Sequence, residues 1–511
     1  MEFERAGGIL VHPTSFPGPY GVGDLGPEAY RFVDFLHETN QKLWQILPLN
    51  PTGYGDSPYA AYSAFAGNPL LISPDLLVLD GLLDEQDLAH KPDFPEERVD
   101  YGQVYDWKMP LLTRSFQHFQ AKGGHDHIKV EFERFRHDRS GWLDDYALFR
   151  AAKETHGGVA WSEWEPALVR REEEALLAWH ERLAEQVAFQ KYIQFLFFRQ
   201  WLHLKKYANE RGIKIIGDMP IFVAYDSADV WANQDLFYLD ENGQPTVVAG
   251  TPPDFFSETG QYWGNPLYRW EKLSENGYAW WVERFRASFE VMDILRIDHF
   301  RGFEAYWEIP VNSEGTAVNG QWVKGPGMDL FEAVRTALGE QPIMAEDLDT
   351  ITREVDALRE EAGFPGMRVL LFAFGGPELD PKNPYLLHNY EPDTVVYTGN
   401  HDTDTAAGWY ASLDHQEKQN LLRYLDPLGT NHHLHNLNPA EMAWKLVEVA
   451  WSSVARLAVV PLQDIMGLGS ESRMNFPGKG EGNWGWRYKS DHLHNHQMRE
   501  RLVTLTHVFR R

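Results

Sequence analysis

DILRIDHF, residues 293–300, decides the fold. Ile294, Leu295 and Ile297 make a short apolar run that closes on an acid, Asp298. A strand apolar on both faces belongs to a parallel sheet buried under helices. Seven further stretches are built the same way: GGILVH (7–12), KLWQILPL (42–49), KIIGDMPIFV (214–223), PIMAEDLD (342–349), RVLLFAF (368–374), TVVYTGNHD (394–402) and AVVPLQD (458–464). One-faced helical patterns lie between most of them. In 27–40 the face is Tyr30, Phe32, Val33, Phe35 and Leu36, and 327–339, 351–362 and 439–457 read alike. Eight alternating strand–helix units predict an α/β fold, a (β/α)8 TIM barrel; an open, doubly wound sheet of eight strands is the alternative.

Two intervals are too long for simple crossovers. Residues 50–210 carry helical patterns at 104–121, 128–137, 142–156 and 165–208, the last long and aromatic. Residues 224–292 contain YLDENGQPTVVAGTPPDFF, in which ENG is a turn signal between strand-like flanks. The predicted division is strands 1–2 in 1–77, a mostly helical insertion in 78–185, strand 3 in 186–223, a hairpin and loop insertion on the active-site rim in 224–287, and strands 4–8 with a C-terminal helix in 288–511. Residues 490–510 read as helix-like.

Composition narrows the function. The chain has 511 residues, with 47 basic against 75 acidic, a net charge of −28. Binders of nucleic-acid backbone or anionic membrane are usually basic, so neither partner is expected. Cysteine is absent, which excludes disulfides, thiolate nucleophiles and iron–sulfur clusters. No basic segment followed by an apolar one opens the chain, and no run of about 18 apolar residues occurs. These features predict a cytoplasmic protein. Aromatic residues reach 14%, with 19 tryptophans. Most should be core, and some are available as platforms for sugars.

Four of the eight runs place an acid near their C-terminal end: Asp218, Asp298, Glu346 and Asp402. A strand-end acid can simply cap the next helix. Four converging on one barrel mouth, where barrel active sites lie, favour catalysis instead. Arg296 stands two residues before Asp298 and so shares its side of the strand. A guanidinium there keeps Asp298 ionised, as a nucleophile requires. Glu346 adjoins Asp347, and like charge with burial should raise its pKa, as a general acid requires. Such a pair is the equipment of glycoside chemistry, with Asp402 available for the hydroxyls of the strained sugar. Tyr59, Tyr262 and Trp263 are candidate sugar platforms. The histidine clusters NHHLHN (431–436) and HLHNH (492–496) lack metal-site spacing, DSADVWANQD (226–235) lacks the EF-hand pattern, and no phosphate loop follows the first strand. No metal and no cofactor is expected.

The motifs also carry a family resemblance. HPTSFPGPYGVGDLG, WQILPLNPTGYGDSPYAAYSAFAGNP, GDMPIFVAYDSADVW, PPDFFSETGQYWGNPLYRW, RIDHFRGF, AEDLD, GNHDTDT, QDIMGLGSESRMNFPG and NWGWR occur in this order. They resemble the amylomaltases, the 4-α-glucanotransferases or disproportionating enzymes of the α-amylase-like clan, a resemblance that implies a (β/α)8 barrel with insertions and no separate C-terminal β-domain. The resemblance implies Asp298 as nucleophile, Glu346 as acid/base and Asp402 as transition-state stabiliser. It implies Arg296, His401 and Asp218 around the reactive sugar, Ser57 and Tyr59 on the donor side, and Glu258, Gln261 and Trp263 on an acceptor-side rim loop. Asn475 is a further substrate-binding candidate. Asn400, Thr403, Asp349 and Lys479 depart from the usual family residues, none of them at a catalytic position.

The expected reaction is retaining transfer of α-1,4-glucan segments, with maltooligosaccharides, starch-like glucans and glucose as partners. An α-amylase-type hydrolase is the alternative, followed by an inactive glucan-binding barrel and a metal-dependent hydrolase using His299, His401 and Asp298.

Overall fold

The eight runs become eight parallel strands in the computed structural model, which describes residues 3–121, 125–253, 258–311, 315–348, 351–375 and 378–511. Around the barrel they are β1 (Ala6–Leu10), β2 (Leu43–Gln45), β3 (Lys214–Pro220), β4 (Ile294–Asp298), β5 (Ile343–Ala345), β6 (Gly366–Val369), β7 (Thr394–Tyr397) and β8 (Leu457–Pro461). Neighbours in sequence are neighbours in space, and β8 returns to pair with β1 from Ala6↔Leu457 to Leu10↔Pro461. That return excludes the open, doubly wound sheet. One joint differs from the rest. β5 and β6 share no ladder, and among the described residues their main chains meet where the Ala345 N–H donates to the Pro365 carbonyl at 3.0 Å.

Near-complete burial explains why the strands read as apolar runs: β1, β2, β5, β7 and β8 are buried at every residue. β1 and β2 approach so closely at Gly8 that a Cβ there would lie 2.3 Å from that of Leu43. Trp44, Trp161, Trp201, Trp231, Trp281 and Trp451 are fully buried, so much of the tryptophan content serves the core. β6 starts earlier than RVLLFAF and ends at Val369, where the chain leaves the sheet in a 3-10 turn over Leu370–Ala373.

The long helical segment expected at 165–208 is three helices: Pro166–Val169, Glu173–Arg182 and Ala184–Glu210. The first break is at Arg171, whose left-handed φ of 55° no helix interior accepts. The turn places its guanidinium over the Trp231 ring and 2.6 Å from Asp145.

The ENG turn is present, with Leu239 bridging to Pro245 and Gly243 at φ 77°. It leads into an antiparallel sheet on the rim, in the order Gln261–Pro266, Val247–Thr251, Ala305–Pro310, Gln321–Lys324. The last two strands lie between β4 and β5, where the sequence predicts none. Asp349 and residues 254–257 of the rim loop lie outside the described residues. Beyond β8 the described chain has no further strand and ends in the helix His496–Phe509. Among the described residues no helix is long and apolar enough to cross a membrane.

Candidate active site

The register of β3 against β4 sets Asp218 opposite Arg296 and Pro220 opposite Asp298. Partners in register point to the same side of a sheet, so the cation and both acids meet inside the barrel mouth. Arg296 Nη1 donates to both Asp218 oxygens at 2.7 Å and lies 2.9 Å from Asp298 Oδ1. The Tyr59 hydroxyl donates to Asp218 Oδ2 at 2.8 Å. Arg296 and Asp218 are sealed from solvent, at 3% and 0% side-chain exposure, whereas Asp298 keeps 28%. Burial alone would lower the guanidinium's pKa; Asp218 and Asp298 outweigh it and hold the group well above its ordinary value. Breaking a buried pair from one side leaves the other charge uncompensated, at a cost of about 3–5 kcal/mol. Arg296→Ala should therefore melt well below the wild type in thermal unfolding, beyond any loss of activity.

Glu346 follows β5 directly. Its carboxyl accepts the His299 N–H at Oε2, 2.8 Å, and the Leu348 N–H at Oε1, 2.7 Å. His299 reaches it because its backbone is left-handed, φ 53°, a conformation a non-glycine residue seldom adopts and one that clusters at functional sites. Burial first, and the charge of Asp298 second, push Glu346 up to about 7, against Arg296 and the two N–H donors, which favour the anion. Asp347 is not the source of like charge expected from the sequence. It turns away from Glu346, accepts the Met367 N–H at 2.6 Å and lies 3.2 Å from Arg368 and 3.5 Å from Arg359. The like charge comes from the neighbouring strand, from Asp298 at the end of β4, whose Ile297 is paired with Ala345.

Past β7, Asp402 lies 3.2 Å from His401 Nε2 and accepts the Asn475 amide at 2.7 Å. Burial works against its anion, but His401, then Asn475, hold the carboxyl down to about 2. The same pairing raises His401 above its usual value although burial opposes it. The Tyr59 ring stacks on His401 at 5.1 Å between centroids. Among the described residues His299, His401 and Asp298 do not converge as a set of metal ligands.

These groups open into a cleft of about 630 Å³ that Ser57, Tyr59, Gln261, Trp263, Asp298, His401, Asp402 and Asn475 help to line. Trp263 is 37% exposed, packs edge-on against His299 at 4.9 Å and donates Nε1 to Gln261 at 3.1 Å. Asp218 is buried behind the cleft surface, and Glu346 is half-buried at the end of β5. Glu258 is exposed in the turn before Gln261–Pro266, apart from the lining residues. Tyr54, Phe222, Tyr225 and Trp484 also line the cleft, unassigned by the sequence reading. Trp484 stands in the NWGWR motif and packs near Tyr59 and His401 at 5.8 and 6.0 Å. Tyr54, 86% exposed, presents its ring to the cleft.

A family model described as 4-alpha-glucanotransferase matches residues 11–493. A 4-alpha-glucanotransferase of Thermus thermophilus is 53% identical over 489 residues, covering 95% of each chain. One from a Synechocystis species is 50% identical over 495 residues, 96% of this chain and 95% of its own. Among solved structures, an amylomaltase from Streptococcus agalactiae in complex with acarbose superposes with a TM-score of 0.93 at 38% identity, covering 99% of this chain and all of the other.

Proposed function

The chain belongs to the 4-alpha-glucanotransferase family, and from that premise we propose the route by which its residues move α-1,4-glucan segments from one glucan to another. The observation that carries the route is the placing of two carboxyls at the ends of adjoining strands, Asp298 anchored to a buried arginine and Glu346 half-buried beside it, where burial and the charge of Asp298 push Glu346 up to about 7. One acid is equipped to hold a proton and the other to attack.

Arg296 holds Asp298 at Oδ1, and among the described residues nothing is bonded to Oδ2. In the first step this oxygen attacks the anomeric carbon of the donor. The bond to the leaving oxygen breaks, and that oxygen takes the proton of Glu346. A β-linked glucosyl ester on Asp298 results, and the shortened glucan leaves. In the second step the 4-hydroxyl of an acceptor gives its proton to the Glu346 carboxylate and attacks the same carbon. The ester bond breaks and the α-linkage is restored by two inversions. Asp402, held anionic by His401 and Asn475, accepts hydrogen bonds from hydroxyls of the distorted sugar ring. Both steps use carboxylates alone. Maltooligosaccharides and starch-like chains serve as donors, and glucose or another glucan as acceptor.

Incubation with maltotriose tests the function. Transfer yields a ladder of longer and shorter maltooligosaccharides at constant reducing ends. Glucose and maltose with rising reducing ends would mean that water is the acceptor, the hydrolytic alternative.

Acceptor contacts decide between the two, because the sugar hydroxyl must reach the ester before water does. Trp263, exposed at the cleft beside His299, is the stacking surface for that sugar. Stacking of a base on an aromatic ring is worth about 1–3 kcal/mol, and the lower end of that range is taken for a sugar, which has no π-face. Trp263→Ala should raise the hydrolytic share of turnover about five-fold or more, read as reducing ends released per transfer event. An unchanged ratio in a folded variant would remove Trp263 from the acceptor site.

A further inference from the structure

The seam between β5 and β6 is the place where the barrel lacks a ladder, and a side chain stands in for the missing bonds. Asp347, two residues beyond β5, sends its buried carboxyl into the gap. Oδ1 accepts the Met367 N–H of β6 at 2.6 Å, where a strand carbonyl would otherwise serve. Oδ2 lies 3.2 Å from Arg368 of β6 and 3.5 Å from Arg359 of the helix Arg353–Ala362. Arg359 in turn donates to the Phe364 carbonyl at 3.1 Å, on the approach to β6. The fit is tight: a Cβ on Gly366 would fall 2.3 Å from Asp347 Oδ2. One carboxylate thus joins the end of β5, the start of β6 and the helix between them.

The residues on either side of Asp347 touch the chemistry. Glu346 precedes it, and the Leu348 N–H that follows it points back to Glu346 Oε1 at 2.7 Å. The orientation of that N–H is set by the 347–348 peptide, which Asp347 pins at its Cα. We propose that Asp347 is a positioning residue for the general acid/base: by tying the β5–β6 seam it aims Glu346 and holds the Leu348 N–H against it. This rests on the reading of Glu346 as acid/base given above.

Two variants loosen the tie differently. Asp347→Ala deletes the carboxylate, and Gly366→Ala pushes it out of the seam while keeping it. Each is compared with the wild type for kcat and KM on maltotriose, for the pH dependence of kcat/KM, and for fluoride release from α-maltosyl fluoride in azide. Fluoride departs without protonation and azide attacks without a base, so that last assay bypasses Glu346. A misplacement of about 1 Å can cost roughly 10²-fold in rate. Both variants should lose about that factor in kcat on maltotriose with KM changed less than about three-fold, yet stay within a few-fold of wild type on the fluoride. Loss of the Leu348 N–H removes a donor that favours the anion, so the alkaline limb should move to higher pH. Rescue by Asp347→Asn, which keeps an oxygen for the Met367 N–H, should be partial.

Equal losses on both donors with an unmoved limb would reduce Asp347 to a brace of the fold and overturn the proposal. So would wild-type kinetics in either variant. If Asp347→Ala fails to fold, Gly366→Ala and Asp347→Asn give the same readouts. Glu346→Gln is the separate control. Wild-type activity in that variant would defeat the acid/base reading itself, independently of Asp347.

Discussion

Asp298→Ala should abolish transfer from maltotriose, with a loss on the order of 10⁶, the scale seen when a covalent nucleophile is deleted. The fold should survive, because Arg296 keeps both bonds to Asp218 and no buried charge is stranded. Its melting temperature should stay near that of the wild type, in contrast to Arg296→Ala. With α-maltosyl fluoride as donor no ester can form. Azide admitted to the space left by the side chain would attack directly and give the β-azide by a single inversion. Measurable transfer by a folded Asp298→Ala enzyme would mean that another group is the nucleophile.

Glu346→Ala should lose roughly 10²–10⁴ in rate on maltotriose, the contribution of a positioned general acid. Its rescue should be the mirror image of the first variant. α-Maltosyl fluoride needs no proton to depart, so Asp298 should be glycosylated and the ester should accumulate for want of a base. Mass spectrometry of the quenched protein should find it. Azide should then release the α-azide, because two inversions restore the starting configuration. Only β-azide from this variant would rule out the double displacement. The same residue sets a pH limit in the wild type. In the proposed route Glu346 must be protonated for the first step, and burial with the charge of Asp298 pushes its carboxyl up to about 7. Donor kcat/KM should fall as pH rises through that value, and the fall should vanish with the fluoride donor, which needs no acid.

The pattern of short apolar runs between one-faced helices was legible in the chain itself, because burial on both faces of a parallel strand is a local demand on composition. The acids near the strand ends were legible for the same reason: Asp218, Asp298, Glu346 and Asp402 are the acids that interrupt or follow apolar runs. So was the meeting of Arg296 with Asp298, which a two-residue repeat imposes on any strand. The family motifs then supplied the roles these residues are expected to play.

The rest depended on distance in space without nearness in sequence. Arg296 finds its tighter partner, Asp218, 78 residues away, through the register of β3 on β4. Asp347 stands beside Glu346 in the chain, yet the like charge that raises Glu346 belongs to Asp298, because the backbone past β5 turns successive side chains to opposite sides. Two rim strands, Ala305–Pro310 and Gln321–Lys324, are held by pairing with Val247–Thr251 and with each other, and no local apolar alternation marked them. Trp484 reaches the cleft from far along the chain in a left-handed conformation. A sequence states what each residue can do; register, closure and the side of the backbone on which a side chain emerges are settled when the barrel closes, since each is a relation between segments that only the fold brings into contact.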